Sequence, residues 1–164
     1  MMRTYFYWLY PIGWMLIIFY SSSQPYEDQD MKPMLSNTID LSFLERYLDW
    51  IVFTYHRSEV SVANLGVEGF IEFFIRKGAH VTVFFVLFYL LFLAIRKTTN
   101  ISKWTTIIVS LLLTIAYASI DEFHQGLTPN RTPYIGDVLL DSFGALLASL
   151  LLVYFHYRRR NNAK

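Results

Sequence analysis

Four long apolar blocks, separated by charged and polar segments, limit what this chain can fold into. They cover residues 5–20, 77–95, 105–120 and 134–157. A helix needs about 20 apolar residues to cross the hydrocarbon core of a bilayer. Because 54% of the 164 residues are hydrophobic and 16% are charged, the chain is also too apolar for a typical soluble domain. We therefore predict an all-α polytopic membrane bundle, a single domain over residues 1–164, with four transmembrane helices at about residues 4–21, 77–95, 104–124 and 134–156.

The basic residues predict how these helices are oriented. They precede the first block, flank the link between the second and third, and follow the fourth: Arg3, Arg96, Lys97, Lys103, Arg158, Arg159, Arg160 and Lys164. Residues 22–75 instead hold most of the acidic side chains. Because short loops rich in lysine and arginine stay in the cytoplasm, we expect a multi-pass protein of the cell membrane with both termini cytoplasmic. Residues 22–75 and the loop at 121–136 are then extracytoplasmic.

The first block allows a second interpretation. An arginine, an apolar run and then three serines also form the pattern of a signal peptide. The tryptophans and tyrosines of the block favour a helix that stays in the membrane, since both residue types prefer the membrane interface. Pro11 and Gly13 predict a kink or a loosened turn within this helix.

The extracytoplasmic segment is predicted to contain an amphipathic helix. Leu44, Leu48, Ile51 and Tyr55 recur at helical spacing between polar residues. Such a helix lies on the outer membrane face, either as a lid over a polar site or packed on the outer ends of the spans. The two glycines within residues 62–70 predict a turn before the second block.

Ionisable side chains lie at similar depth on three of the predicted spans. An α-helix rises 1.5 Å per residue, so the depth of a residue can be counted from the outer end of its helix. Five residues lie roughly 3–10 Å inside these ends: His80, Asp121, His124, Asp137 and Asp141. This coincidence predicts one shared site. A charge inside the bilayer is costly unless it is paired, so Asp141, the deepest, is expected to face the bundle beside Lys77, Arg131 or His80. Small residues that follow it, beginning with Gly144, allow another helix to approach closely.

Two chemistries would use the acids and histidines of this site directly. Imidazole and carboxylate groups suit zinc or manganese, with His80, His124 and Asp137 as candidate ligands. A carboxylate–histidine pair can also act as general acid and base on a lipid-linked substrate, with Asp121, Glu122 and His124 as candidate catalytic residues. Whether the protein is an enzyme stays open, because the sequence shows no nucleophile motif.

Two further interpretations need no reaction. Lys77, Arg131 and the histidines could grip a phosphate or carboxylate group, as a carrier or binding protein does. The polar groups could instead link the helices through ion pairs and hydrogen bonds. Ser119 and Ser142 are interpreted as helix-packing residues. The short basic clusters form no groove, so no nucleic-acid partner is expected, and no cofactor follows from these residues.

The motifs around this site resemble those of the VanZ-like family. The family pattern is close to DE-x-HQ, a loop arginine and then D-x-x-x-D-x-x-G, and it includes an RK-x-x-H stretch. Gly144 ends the pattern here, and Asn130 replaces a common loop glycine. The residues that carry the resemblance, and that we take as candidate ligand-binding residues, are Arg76, Lys77, His80, Asp121, Glu122, His124, Gln125, Arg131, Asp137 and Asp141.

The resemblance implies cell-envelope biology rather than a defined reaction. The family is named for a protein associated with teicoplanin resistance in Gram-positive bacteria. It therefore implies antibiotic resistance, in which the chain lowers susceptibility to lipoglycopeptides such as teicoplanin through a polar site at the outer face. The alternative is a membrane-embedded enzyme or carrier that acts on a lipid-linked or phosphate-bearing envelope substrate, with no antibiotic role. The expected partners are the lipid bilayer and an amphiphilic ligand at the outer face.

Overall fold

The computed structural model describes residues 2–25, 27–38, 40–129 and 131–162. Asn130 and Lys164, and the side chains of Arg3 and Arg160, lie outside this description. Short 3₁₀ turns at Phe6–Trp8, Glu27–Gln29 and Ser42–Leu44 connect some of the elements. The helices and strands are α1 (Met2–Tyr5), α2 (Leu9–Ser22), α3 (Lys32–Thr38), α4 (Glu45–Leu48), β1 (Phe53–Tyr55), β2 (Ser58–Val60), α5 (Val62–Thr98), α6 (Lys103–Gln125) and α7 (Ile135–Asn161).

The chain forms two compact units, which we describe separately. The helical unit contains residues 1–24 and 80–164, and the inserted unit contains residues 25–79. Phe84, Leu87 and Phe88 are completely or almost completely buried in the helical unit. They belong to two apolar clusters that join α5 to the other long helices of that unit.

Three helices among the described residues are long and apolar enough to cross a membrane: α5, α6 and α7. They include three of the four predicted spans, although α5 begins at Val62 rather than near residue 77. Large apolar side chains nevertheless stay exposed along α6, among them Ile108, Leu112, Ile120 and Phe123. A surface of this kind is rare on soluble proteins and suits contact with lipid, so the chain is a multi-pass membrane protein.

α2 lies along the helical unit and is held there by aromatic side chains with polar tips. The Trp14 indole donates a hydrogen bond of 2.9 Å to the carbonyl of Val83. The Tyr117 hydroxyl donates one of 2.6 Å to the carbonyl of Met15. Because each ring buries its apolar body while its N–H or O–H finds an acceptor, α2 packs on both α5 and α6.

The beginning of the chain, the end of α5, the start of α6 and the end of α7 meet at one end of the helical unit. The Trp8 indole donates to the Thr98 hydroxyl at 3.3 Å, and the Trp104 and Tyr157 rings lie 6.4 Å apart. We call this the basic end, because it carries Arg96, Lys97, Lys103, Arg158 and Arg159. The opposite end, where α2 and α6 finish and α7 begins, is the polar end.

The predicted kink at Pro11 and Gly13 is wrong in position. α2 is continuous through both residues, and the irregular turn lies at Phe6–Trp8, just before them. Pro11 is in the first turn of α2, where its missing N–H costs no helical hydrogen bond.

The prediction of one amphipathic helix through Leu44 and Tyr55 is also wrong. The helix ends at Leu48, and the chain then forms an antiparallel hairpin in which Phe53 pairs with Val60. The two turn residues, His56 and Arg57, have φ angles of 46° and 65°, as a two-residue hairpin turn requires. The turn lacks the Asn-Gly or Asp-Gly signal, so the apolar spacing was misread as helical. The apolar face itself was assigned correctly, since it packs on the inserted unit's core.

The predicted turn within residues 62–70 is reduced to a kink at Gly66. This glycine interrupts α5 with φ 71° and ψ 168°, a backbone conformation that is essentially restricted to glycine. We expect Gly66→Ala to lower the free energy of unfolding by about 1–3 kcal/mol, measured by denaturant titration in detergent micelles. Gly78→Ala is the matched control, because a Cβ on Gly78 meets nothing within 4 Å. Equal stabilities of the two variants would contradict the argument.

Candidate functional site

A histidine–aspartate pair joins α5 to α7 inside the helical unit. His80 Nδ1 lies 3.0 Å from Asp141 Oδ1, and the Asp141 side chain has no exposed surface. The prediction that Asp141 faces the bundle beside a partner is confirmed, with His80 as that partner. The contact also fixes the orientation of the imidazole ring, because it engages one of the two ring nitrogens.

Glu122 holds the start of α7 from the end of α6. Its Oε1 accepts a hydrogen bond of 2.5 Å from the backbone N–H of Tyr134, the residue that precedes the first turn of α7. Asp137, in that first turn, is half-buried. Glu122, Asp137, Asp141 and His80 are close enough to influence one another electrostatically, so this part of the polar end is a cluster of carboxyl groups around one imidazole.

Two oxygens of this cluster are buried and have no hydrogen-bond partner among the described residues. They are Asp141 Oδ2 and Glu122 Oε2. Buried polar atoms in native proteins are nearly always hydrogen-bonded, to protein or to ordered water. Both orphan atoms are carboxyl oxygens, so ordered water or a ligand that presents N–H or O–H groups could satisfy them.

Asp121 is the centre of a different network, in which both of its carboxylate oxygens accept hydrogen bonds. Its Oδ1 accepts a hydrogen bond of 2.6 Å from the Ser22 hydroxyl, and its Oδ2 accepts one of 3.0 Å from the Gln125 amide. Arg131 donates to Gln125 Oε1 at 2.9 Å, and the Thr128 hydroxyl donates to the carbonyl of Ser22 at 3.3 Å. The network ties the end of α2 to the end of α6 and to the loop after it, so Asp121 holds these elements together.

His124 makes its described contact with an aromatic ring. Its imidazole stacks on Phe19, with the ring centroids 4.0 Å apart. His124 Nδ1 is buried and has no hydrogen-bond partner among the described residues. The ring thus packs α6 against α2, beside the Asp121 network.

Arg76 and Lys77 make their described contacts within the inserted unit. Arg76 forms an ion pair of 2.7 Å with Glu72 and donates a 2.6 Å hydrogen bond to the carbonyl of Gln29. The pKa of Asp30 lies below its ordinary value, mainly because its carboxylate accepts a hydrogen bond from the backbone N–H of Lys32. The positive charge of Arg76 makes the smallest contribution to this lowering. The Lys77 ammonium lies 4.4 Å from the centre of the Tyr55 ring. The interpretation that Lys77, Arg131 and the histidines bind a phosphate or carboxylate group gains no support from the contacts of Lys77.

The metal interpretation gains no support either. In the parts of the chain that the structure describes, no three His, Asp or Glu side chains are grouped so that they could hold a metal ion. The predicted set included His80, His124 and Asp137, of which His80 pairs with Asp141 and His124 stacks on Phe19.

The hydroxyls of Ser119 and Ser142 donate to carbonyls of their own helices, as expected for packing residues.

Sequence reasoning missed the parts of the site that come from outside its motifs. Ser22 and Phe19 belong to α2 and contact α6 residues about 100 positions later in the chain. No spacing pattern can indicate such a pairing, although the serines at the end of the first block were a visible polar signal. The Tyr134 contribution is a backbone N–H, which any residue except proline supplies.

Comparison with known proteins agrees with the motifs that hold this cluster. The family model described as VanZ/LLP1 matches residues 6–156. No curated protein and no solved structure matches the chain. The matched range covers α2 and reaches far into α7, and it includes His80, Glu122, Asp141 and their partners. The chain therefore belongs to the VanZ/LLP1 family.

Proposed function

We propose that this protein lowers the susceptibility of a bacterial cell, of Gram-positive type, to lipoglycopeptides such as teicoplanin. Its working site is the cluster of His80, Glu122, Asp137 and Asp141 at the polar end. The observation that carries this proposal is the pair of buried, unpartnered oxygens on Asp141 and Glu122. In the neighbouring network, by contrast, both carboxylate oxygens of Asp121 accept hydrogen bonds from the chain itself.

The site's chemistry favours a ligand that donates hydrogen bonds. Carboxyl groups outnumber the one imidazole among the four residues, and the orphan atoms are acceptors. An amine or hydroxyl on the head group of an envelope amphiphile, or on the antibiotic itself, would satisfy both. These hydrogen bonds are strongest where water is excluded, because the low local dielectric strengthens them.

The proposal includes a fourth span and an orientation. α2 alone has 14 residues, or about 21 Å of helix, which is short for a bilayer. The segment of α2 and the turn before it is nevertheless bonded near both ends of the helical unit, at Trp8 and at Ser22, and most exposed side chains of α2 are large and apolar. We propose that α2, with the turns before it, crosses the membrane. The basic end then faces the cytoplasm with both termini, and the polar end faces outward with residues 25–79.

A second candidate function rests on the His80–Asp141 pair. A histidine held by a buried carboxylate is the arrangement that orients a general base. Glu122, within electrostatic reach of both residues, would be the second acid–base group. In this version the protein is an enzyme or carrier for a lipid-linked or phosphate-bearing envelope substrate, with no antibiotic role of its own.

Teicoplanin susceptibility separates the two functions. We expect expression of the chain in a sensitive Gram-positive host to raise the inhibitory concentration relative to empty vector. Asp141→Asn and Glu122→Gln are expected to remove most of that protection, because each loses a carboxylate that bonds to the ligand. We expect the inhibitory concentration to fall about tenfold or more relative to the natural chain. Membrane levels of every variant are matched by immunoblot.

Asp49→Asn is the matched control, since Asp49 is an exposed carboxylate of the inserted unit. It is expected to protect as the natural chain does. If all variants protect equally at equal abundance, the cluster has a structural role only. Absence of protection by the natural chain would remove the antibiotic role and leave the enzyme or carrier as the candidate.

A further inference from the structure

A cavity lies at the basic end of the helical unit, away from the acid–histidine cluster. It has a volume of about 550 Å³, within the range of small-molecule sites. Its walls are apolar and come from α5 and α7, including Tyr89, Phe92, Leu151 and Leu152. Tyr89 and Leu151 are 43% and 45% exposed. The cavity therefore opens on the apolar side of the helices, where lipid tails would be.

Apart from the Tyr89 hydroxyl, the polar side-chain groups that line this cavity are basic. Lys103 comes from the start of α6, and His156 and Arg159 come from the end of α7. Lys103 is close enough to Arg159 and to Arg96 for their charges to repel. The sequence has no Asp or Glu between residues 73 and 120, or anywhere after Asp141. No acidic side chain of α6's first half or α7's second half can balance these cations.

We propose that this cavity binds one anionic phospholipid. The phosphate lies at Lys103 and Arg159, and one acyl chain lies along Phe92 and Leu152. The head group supplies the negative charge that the chain itself lacks here, and basic pockets between membrane helices are known sites for such head groups. The acyl chain fills an apolar groove that is already open to the bilayer. A lipid held there would join α5, α6 and α7 at the end opposite to the candidate functional site.

The test uses the full chain, purified in a neutral detergent and titrated with dioctanoyl phosphatidylglycerol. A ligand that binds the folded state raises its unfolding temperature in a concentration-dependent way, which gives an apparent Kd. We expect phosphatidylglycerol to raise this temperature. Dioctanoyl phosphatidylcholine, which has equal tails and no net charge, is expected to bind at least fivefold more weakly. Inorganic phosphate is expected neither to stabilise the protein nor to displace the lipid.

Two substitutions in the cavity lining, each paired with the same change at an adjacent residue outside the lining, locate the site. Arg159→Gln is expected to weaken phosphatidylglycerol binding about fivefold, since one cation near a phosphate head contributes about that factor. Arg158→Gln makes the same change one residue away and outside the cavity lining, so it should alter Kd less than twofold. Leu151→Trp fills the cavity and is expected to abolish binding, whereas Leu150→Trp, which is exposed and outside the lining, is not.

Three results would overturn the proposal. The first is equal binding of phosphatidylglycerol and phosphatidylcholine, which would mean non-specific lipid uptake. The second is displacement of the lipid by inorganic phosphate, which would mean a site for a free anion. The third is an equal loss in Arg158→Gln and Arg159→Gln, which would place the lipid outside this cavity.

Discussion

Gly144→Ala is expected to lower the free energy of unfolding by about 1–3 kcal/mol, and Gly144→Leu by more. A Cβ on Gly144 would overlap the carbonyl oxygen of Val81 and lie 3.0 Å from its carbonyl carbon. The obstacle is the backbone of α5, which cannot rotate away as a side chain can. The two helices must therefore separate, and the His80–Asp141 pair, which joins the same helices, is stretched.

The measurement is denaturant unfolding in detergent micelles, with membrane abundance as a second readout. Gly13→Ala is the matched control, because it is the same substitution in a helix of the same unit and its Cβ meets nothing within 4 Å. It should leave stability unchanged or raise it by about 0.5–1 kcal/mol, the helix preference of alanine over glycine. A Gly144→Ala protein as stable as the natural chain would show that α5 and α7 are not in backbone contact.

Asp121→Ala is expected to lower the free energy of unfolding by about 3 kcal/mol, because it leaves Ser22 and Gln125 buried without their shared acceptor. The Ser22 bond is 2.6 Å long and its partner is a carboxylate. It connects α2 to α6 at the polar end. Loss of the bond should also loosen α2, which chymotrypsin cleavage near Phe19 and Tyr20 would detect as faster digestion.

A double-mutant cycle between Ser22→Ala and Asp121→Ala isolates this bond from other effects. We expect a coupling energy of about 1–3 kcal/mol. Ser119→Ala is the comparison for Ser22→Ala, since the Ser119 hydroxyl donates within its own helix and should show no coupling to Asp121. Additive losses for the Ser22 pair would mean that Asp121 contributes to stability through other contacts.

The parts of the fold that follow from helical periodicity and bilayer thickness could be predicted. α6 was expected at residues 104–124 and lies at Lys103–Gln125, because its apolar length and its flanking charges define both ends. The pairing of Asp141 followed from the high cost of an isolated charge among apolar helices. Gly144 was correctly expected at a close helix approach.

The parts that depend on long-range contacts or on turn chemistry could not be predicted. The hairpin of β1 and β2 was misread, because its turn at His56 and Arg57 uses two side-chain-bearing residues at positive φ. The sequence also could not show that both carboxyl oxygens of Asp121 are hydrogen-bonded whereas only one oxygen of Glu122 is, since neighbouring carboxyl groups look alike in sequence. Only the position of Ser22 and of the Tyr134 N–H separates them.

The Ser22–Asp121 bond also has a consequence for biosynthesis. α2 leaves the ribosome before α6, and its partner Asp121 is 99 residues further along the chain than Ser22. At about 5–20 residues per second, that separation corresponds to roughly 5–20 s of translation. During this interval α2 has no partner from α6, and its apolar surface must keep it in the membrane or with a chaperone. Closure of the bond is therefore a late event, which reports that α6 has arrived, while α7 is still to follow.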